Sequence, residues 1–195
     1  KSKYLSRCIV STDDPEIEKI SKQFGAETPF LRPKRYARDK SSSIDAVIHA
    51  LEWAKDNDGQ LFDYVMILQP TSPLRLSADI DRCIEIIIDT NADSVMSMVE
   101  IPDFNIKKVK KIKNGVILPV FDFEEKISSQ RQQEGKFYKR NCAIYLTKVS
   151  CIMKNDLFGK VSVAYIMPRE RSLDINDPVD FDLAEFWLKR LQDSK

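Results

Sequence analysis

Up to about residue 100 this chain alternates short apolar runs with segments of helical period, and that alternation constrains its fold more than any other feature. Residues 7–12, centred on Cys8-Ile9-Val10, read as a strand. Asp13 or Asp14 caps the next helix, and Pro15 stands in its first turn. Ile17, Ile20 and Phe24 share a face of that helix and Gly25 ends it. Residues 28–31 form a second strand. Ser41, Ser42 and Ser43 offer caps for a helix through Ile44, Val47, Ile48, Leu51 and Ala54. Residues 64–68 are a third strand, Ser77 caps a helix through Ile80, Cys83, Ile84, Ile87 and Ile88, and residues 94–99 are a fourth strand. Strands and helices in this order predict an α/β fold whose sheet is largely parallel, with helices on both faces.

The rhythm breaks from residue 101 to about residue 140. Within that span residues 106–113 and 116–120 flank Asn114-Gly115, a strong hairpin signal. The span reads as an inserted subdomain or dimerisation arm. Residues 141–147 and 161–167 return to strands, and Pro178 starts a last helix through Phe181, Ala184, Leu188 and Leu191. The 195 residues suit one domain, and no internal repeat is apparent.

Composition removes several function classes. With 31 basic and 30 acidic residues, nothing calls for a nucleic-acid or anionic-membrane partner. No apolar stretch is long enough to span a bilayer, and there is no signal-peptide pattern. Cys8, Cys83, Cys142 and Cys151 are scattered and His49 is the one histidine, so the residues argue against a zinc site. Three of the cysteines sit in apolar runs, which points to buried thiols in a reducing cytoplasm. His49 lies near the apolar positions of its helix and reads as structural. None of the five glycines has the Gly-x-Gly-x-x-Gly spacing of a nicotinamide dehydrogenase.

The third strand runs into Leu68-Gln69-Pro70-Thr71-Ser72-Pro73-Leu74-Arg75. Two prolines stiffen this bend, which presents an amide, two hydroxyls and a guanidinium where α/β sheets bind ligands, at the carboxyl end of a strand. A rigid strand-capping turn fits those eight residues equally well. Arg32, in the basic loop of residues 32–40, can fork onto a phosphate or stack on a base; a surface loop ahead of an ordinary cap is the plainer reading. Arg131 could hold a carboxylate or phosphate, or lie in a solvated loop. Asn141 is a ligand contact or a turn residue. In an extended segment Asp174 and Asn176 face the same way as oxygen ligands, a pair suited to Mg²⁺. The alternative there is an Asx turn ahead of the last helix, the part assigned to Asp177.

In this order the motifs resemble the acylneuraminate cytidylyltransferases. The resemblance rests on Ile9-Val10-Ser11-Thr12-Asp13, Leu31-Arg32-Pro33, Ser42-Ser43-Ile44, residues 47–52, residues 68–75, Arg131-Gln132, Asn141-Cys142-Ala143-Ile144-Tyr145, and Ser172-Leu173-Asp174 with Asp180-Phe181 and Ala184-Glu185. It spans essentially the whole chain. It implies a three-layer, Rossmann-like nucleotide-binding domain over residues 1–195, with a dimerisation subdomain inserted at about 101–140 and a homodimer. It also implies a cytoplasmic enzyme that uses Mg²⁺ to move CMP from CTP to the anomeric hydroxyl of a nine-carbon 2-keto sugar acid, releasing pyrophosphate. By that resemblance Arg32 and Ser43 contact the cytidine, Gln69 and Asn141 the sugar, and Arg131 the sugar or phosphates. Asp174 is a metal ligand, with Asn176 beside it. Residues 137–138 and 165–171 are candidates for the sugar pocket.

Two departures from the family pattern stand out. Asn176 replaces a usual aspartate, and Cys142 replaces a common glycine, a change expected to be minor. The chain opens as if inside a helix ending near Ser6, without the glycine- and lysine-containing loop that cradles the triphosphate. That unit with its next strand takes on the order of 30 residues, and the chain as given is expected not to turn over CTP without it. Within the class, pseudaminic, legionaminic or 3-deoxy-octulosonic acid could replace sialic acid. Outside it, a non-catalytic nucleotide- or sugar-binding module is the alternative. The family reading requires the bend at Gln69 and the carboxylate of Asp174 to meet in one pocket.

Overall fold

The computed structural model describes residues 2–38, 42–102, 109–120 and 136–193. Its helices are α1 (Pro15–Gln23), α2 (Ser43–Asp58), α3 (Ser77–Thr90), α4 (Val149–Ile152) and α5 (Pro178–Asp193). Its strands are β1 (Tyr64–Ile67), β2 (Ser94–Glu100), β3 (Lys110–Lys113), β4 (Val116–Pro119), β5 (Tyr138–Lys148) and β6 (Ser162–Ile166). Four of them form one sheet in the order β1-β5-β2-β6. β5 is antiparallel to both β1 and β2, while β2 and β6 are parallel. Three strands therefore share a direction and one opposes them. The fold is α/β with a mixed sheet, and its long central strand is the reversed one.

The core lies where α3 meets this sheet. Ile80, Cys83 and Ile87 pack against Val95, Ala143, Ile144, Leu146 and Met167. Fully buried aliphatic side chains contribute about 1.5–3 kcal/mol each, so this is the best-held part of the sheet. All four cysteines are free, but only Cys83 is buried, and burial pushes its thiol up to about 12. Cys8 is exposed and Cys142 and Cys151 are half-buried, fewer buried thiols than the apolar runs suggest.

Local signals set most boundaries. The Asp14 carboxylate accepts the Glu16 and Ile17 N–H groups at 2.7 and 3.2 Å, with Pro15 opening α1. Ser42 caps α2 by accepting the Ile44 N–H at 3.1 Å, and Asp45 returns a bond to the Ser42 N–H at 3.2 Å. Ser77 is the first residue of α3 rather than its cap, because the Asp79 carboxylate takes the Leu76 N–H at 2.8 Å. Asp177 caps α5 by accepting the Asp180 N–H at 2.9 Å.

Three expectations fail locally. Residues 7–12 and 28–31 are not full strands; they meet only at two parallel bridges, Ile9 to Glu27 and Thr12 to Leu31. Pro29 lies between those bridges and has no N–H for a ladder. Residues 2–6 are not helical. The Ser2 hydroxyl and the Lys3 N–H turn to the Asp81 carboxylate of α3 instead. The shared faces of α1 and α5 are also largely uncovered: Phe24 is 87% and Phe181 61% exposed, while Ala184 is buried.

Within the span 101–140, β3 and β4 form a separate two-stranded hairpin. Asn114 and Gly115 both have positive φ, 51° and 79°, as a two-residue hairpin turn of the primed type requires. The rest of that span lies largely outside the described residues, and Arg131 with it.

Candidate active site

The proline-stiffened bend is held against β5. The Ser72 N–H closes a turn onto the Gln69 carbonyl at 3.2 Å, and Ser72 and Leu74 are buried. Arg75 Nη1 donates to the Ala143 carbonyl at 2.6 Å and to the Gln69 carbonyl at 3.3 Å. The guanidinium that the sequence offers to a substrate thus staples the bend to the sheet. Gln69 itself is half-buried, and its side-chain amide has no hydrogen-bond partner among the described residues.

Opposite the bend, β5 bulges. Met96 pairs with Tyr145 and Met98 with Arg140, so residues 141–144 face Ser97 alone. Cys142 takes φ 61°, the left-handed conformation that a glycine adopts freely and a cysteine does not. The bulge turns Asn141 inward, where it is 2% exposed. Its Oδ1 accepts the Ser97 hydroxyl at 2.5 Å and the Ala143 N–H at 3.3 Å. Its Nδ2 donates to Ser172 Oγ at 2.9 Å and lies 3.2 Å from Met167 Sδ. Asn141 therefore faces the protein interior and ties β5 to the segment carrying Asp174.

That segment reaches the bend. The Ile175 N–H donates to the Thr71 carbonyl at 2.9 Å, so the two elements that had to converge are in direct contact. Asp174 is half-buried, and its carboxylate has no donor among the described residues. Its charge is felt nearby. Burial first, then a hydrogen bond with the Cys142 side chain, and the charges of Cys142 and Asp174 push the Tyr145 phenol up to about 12. Asn176 is exposed, and its Nδ2 donates to the Asp174 carbonyl at 2.9 Å, an Asx-like closure that leaves only Oδ1 for a ligand. An open cavity of about 450 Å³ lies beside them against Ile175, Asn176, Pro178 and Phe181.

No group of three or more His, Cys, Asp or Glu able to hold a metal occurs among the described residues. Mg²⁺ needs no such cage; it takes one or two carboxylates and completes its shell with phosphate oxygens and water. A half-buried carboxylate without a donor fits that demand, and Asp174 supplies it.

Arg32 and Ser43 stand in a second group, at the loop before α2. The Arg32 N–H bonds the Thr12 carbonyl at 2.7 Å, its Nη2 lies 3.3 Å from Asp13, and its Nε is buried without a partner among the described residues. Ser43 is exposed at the first position of α2. His49 underpins the loop: its ring meets Phe30 edge-on at 4.6 Å and Tyr36 at 5.4 Å. Burial, with the Arg35 and Arg32 charges, holds His49 below its ordinary value of 6.5 against a smaller opposing pull from Glu52. It is a neutral wedge, the structural role its helix position predicts.

Motif reading missed Asp79 and Ser97, quoted Ser172 without giving it a role, and offered Tyr165 and Arg171 to a sugar pocket. Both turn instead to the Asp79 carboxylate. An acidic residue at the third helical position was a legible signal for Asp79. Nothing in the linear order marked Ser97.

The cytidylyltransferase family model matches residues 1–158. The chain is 30% identical to Post-translational flagellin modification protein B of Campylobacter coli, over 96% of this chain and 79% of that protein. It is 30% identical to N-acylneuraminate cytidylyltransferase of Escherichia coli O18:K1:H7 over 94% of this chain, spanning 42% of that protein's length. It is 29% identical to CMP-N,N'-diacetyllegionaminic acid synthase of Legionella pneumophila, over 100% of this chain and 83% of that protein. A solved CMP:2-keto-3-deoxy-manno-octonic acid synthetase shares the fold, with a TM-score of 0.62 at 13% identity over 99% of this chain and 84% of that one. With the bend, the bulge and the free carboxylate in place, these matches establish that the chain belongs to the cytidylyltransferase family and is a nucleotidyltransferase.

Proposed function

We propose that this enzyme transfers CMP from CTP to the anomeric hydroxyl of a nine-carbon 2-keto sugar acid, sialic acid or a relative, with release of pyrophosphate. One observation carries the assignment: the 2.9 Å bond from Ile175 to Thr71 sets the free carboxylate of Asp174 next to the bend that bears the free amide of Gln69. Two of its relatives are named for N-acylneuraminate and N,N'-diacetyllegionaminic acid.

The residues divide the work. Gln69 holds the sugar. Asn141 acts on the same site from behind, through Ser172. Arg32 and Ser43 hold the cytidine, where the unpartnered Nε of Arg32 and the N-terminus of α2 await an acceptor. Arg131 meets the sugar carboxylate or the phosphates. Asp174 binds Mg²⁺, with the carbonyl oxygen of Asn176 as a second, uncharged contact. When bound, that ion neutralises charge on the phosphates as the leaving group departs. The sugar hydroxyl attacks the α-phosphorus in line with pyrophosphate, a displacement that needs positioning and neutralisation more than covalent help. The enzyme works in the cytoplasm as a homodimer, with the arm around the β3–β4 hairpin at the subunit contact.

The test is a panel of sialic, legionaminic, pseudaminic and 3-deoxy-octulosonic acids with the full-length protein, CTP and Mg²⁺, reading pyrophosphate and the CMP-sugar by mass spectrometry. One nine-carbon acid should be consumed well ahead of the others. CTP binding without pyrophosphate release for any acid would make the protein a binding module instead.

A further inference from the structure

We propose that the buried Asp79–Arg171 pair is a positioning device: it anchors the strap of residues 171–175 so that Asp174 is presented at a fixed place beside the Gln69 bend. Asp79 is 0% exposed. Its Oδ1 accepts Arg171 Nη2 at 2.6 Å and the Tyr165 hydroxyl at 2.8 Å, while its Oδ2 accepts the Leu76 N–H at 2.8 Å. One carboxylate thus joins the start of α3, the strand β6 and the first residue of the strap. Downstream of Arg171 the strap is caught twice more. Ser172 Oγ donates to the Pro168 carbonyl at 2.7 Å and accepts from Asn141 at 2.9 Å; the Ile175 N–H reaches Thr71. Asp174 lies between these anchors with its own carboxylate unbonded among the described residues.

Stability alone is a poor account of the pair. A buried ion pair seldom outperforms an apolar replacement of the same volume, because desolvation offsets the attraction. Here the cost is visible, since Arg171 Nε is buried without a partner among the described residues. The pair instead supplies direction. Its 2.6 Å bond ties residue 171 to the start of α3, and three residues later the chain presents the metal ligand. Groups behind a metal ligand commonly carry such a load.

The inference rests on Asp174 as the metal ligand, and the experiment separates the two. Asp79→Asn, Arg171→Gln and the double variant Asp79→Leu/Arg171→Met are compared in the whole protein. The single changes leave a buried charge unpaired and lower both melting temperature and turnover. The double change leaves none, so the melting temperature recovers in part, short of the parent because the Leu76 N–H and the Tyr165 hydroxyl lose their acceptor. The strap does not: kcat stays about tenfold or more below the parent, KM for CTP holds, and amide exchange at Ile175 stays faster. On an Asp174→Asn background the double change costs no further turnover. Recovery of kcat and of Ile175 protection along with the melting temperature would overturn the proposal, as would an undiminished loss on the Asp174→Asn background. Full turnover in Asp174→Asn alone would sink the metal assignment, while exchange at Ile175 would still decide whether the pair anchors the strap.

Discussion

The strap that carries Asp174 and the loop that carries Arg32 are both short, polar and irregular, yet they are held in opposite ways. The strap is bonded on both sides of its functional residue, to Asp79, Asn141 and Thr71, and among the described residues the groups it leaves over are the Asp174 carboxylate and Arg171 Nε. At the loop, Arg32 Nε, and His49 Nδ1 of α2 beneath it, are buried with nothing to bond among the described residues. An unsatisfied buried donor costs about 1–3 kcal/mol, which a ligand acceptor would recover. Under the proposed assignment, one half of the site is organised in advance and the other would be completed by its ligand.

Breaking the organised half should have the largest effect. Asp174→Ala is expected to lower kcat by about a hundredfold or more, with the circular dichroism spectrum unchanged. Wild-type turnover would remove Asp174 from the site. Breaking the other half should show in binding: Arg32→Ala should raise KM for CTP by about tenfold, the worth of one charged hydrogen bond, with KM for the sugar little changed. The reverse order would move Arg32 to the sugar.

A gain of function in stability sharpens the comparison. Cys142 holds φ 61° in the bulge, a conformation that costs a non-glycine residue of order 1 kcal/mol. Cys142→Gly is expected to raise stability by somewhat less, since glycine also loosens the unfolded chain, and urea unfolding would read it. The left-handed φ at Cys142 is a backbone position that a glycine adopts without strain. The smallest effect concerns His49. Its folded-state value lies below 6.5, so the unfolded chain binds the proton more readily. The stability of the neutral form is complete above pH 6.5 and is lost as pH falls below it. His49→Phe should flatten that slope in thermal melts from pH 7 to 5; an unchanged slope would place the titration elsewhere.

The caps at Asp14, Ser42 and Asp177, the hairpin turn at Asn114-Gly115 and the strands 64–67, 94–100 and 162–166 were all legible in the order of residues. Each depends on contacts within a few positions, or on a period that a single segment displays. The four-residue bulge opposite Ser97 was not, nor the reversed direction of β5, nor the inward turn of Asn141. Pairing direction and register belong to two strands at once, and no one segment encodes them. The same holds for Asp79, which reads as an ordinary acid in a first helical turn until Arg171, ninety-two residues on, arrives beside it. Residue types decided which chemistry this protein can carry, because charge, hydroxyls and backbone freedom are local properties. Folding decided which of those groups stay free and which are consumed in holding the others still, because burial makes an unpaired polar atom costly, and only the assembled chain says which partner is near.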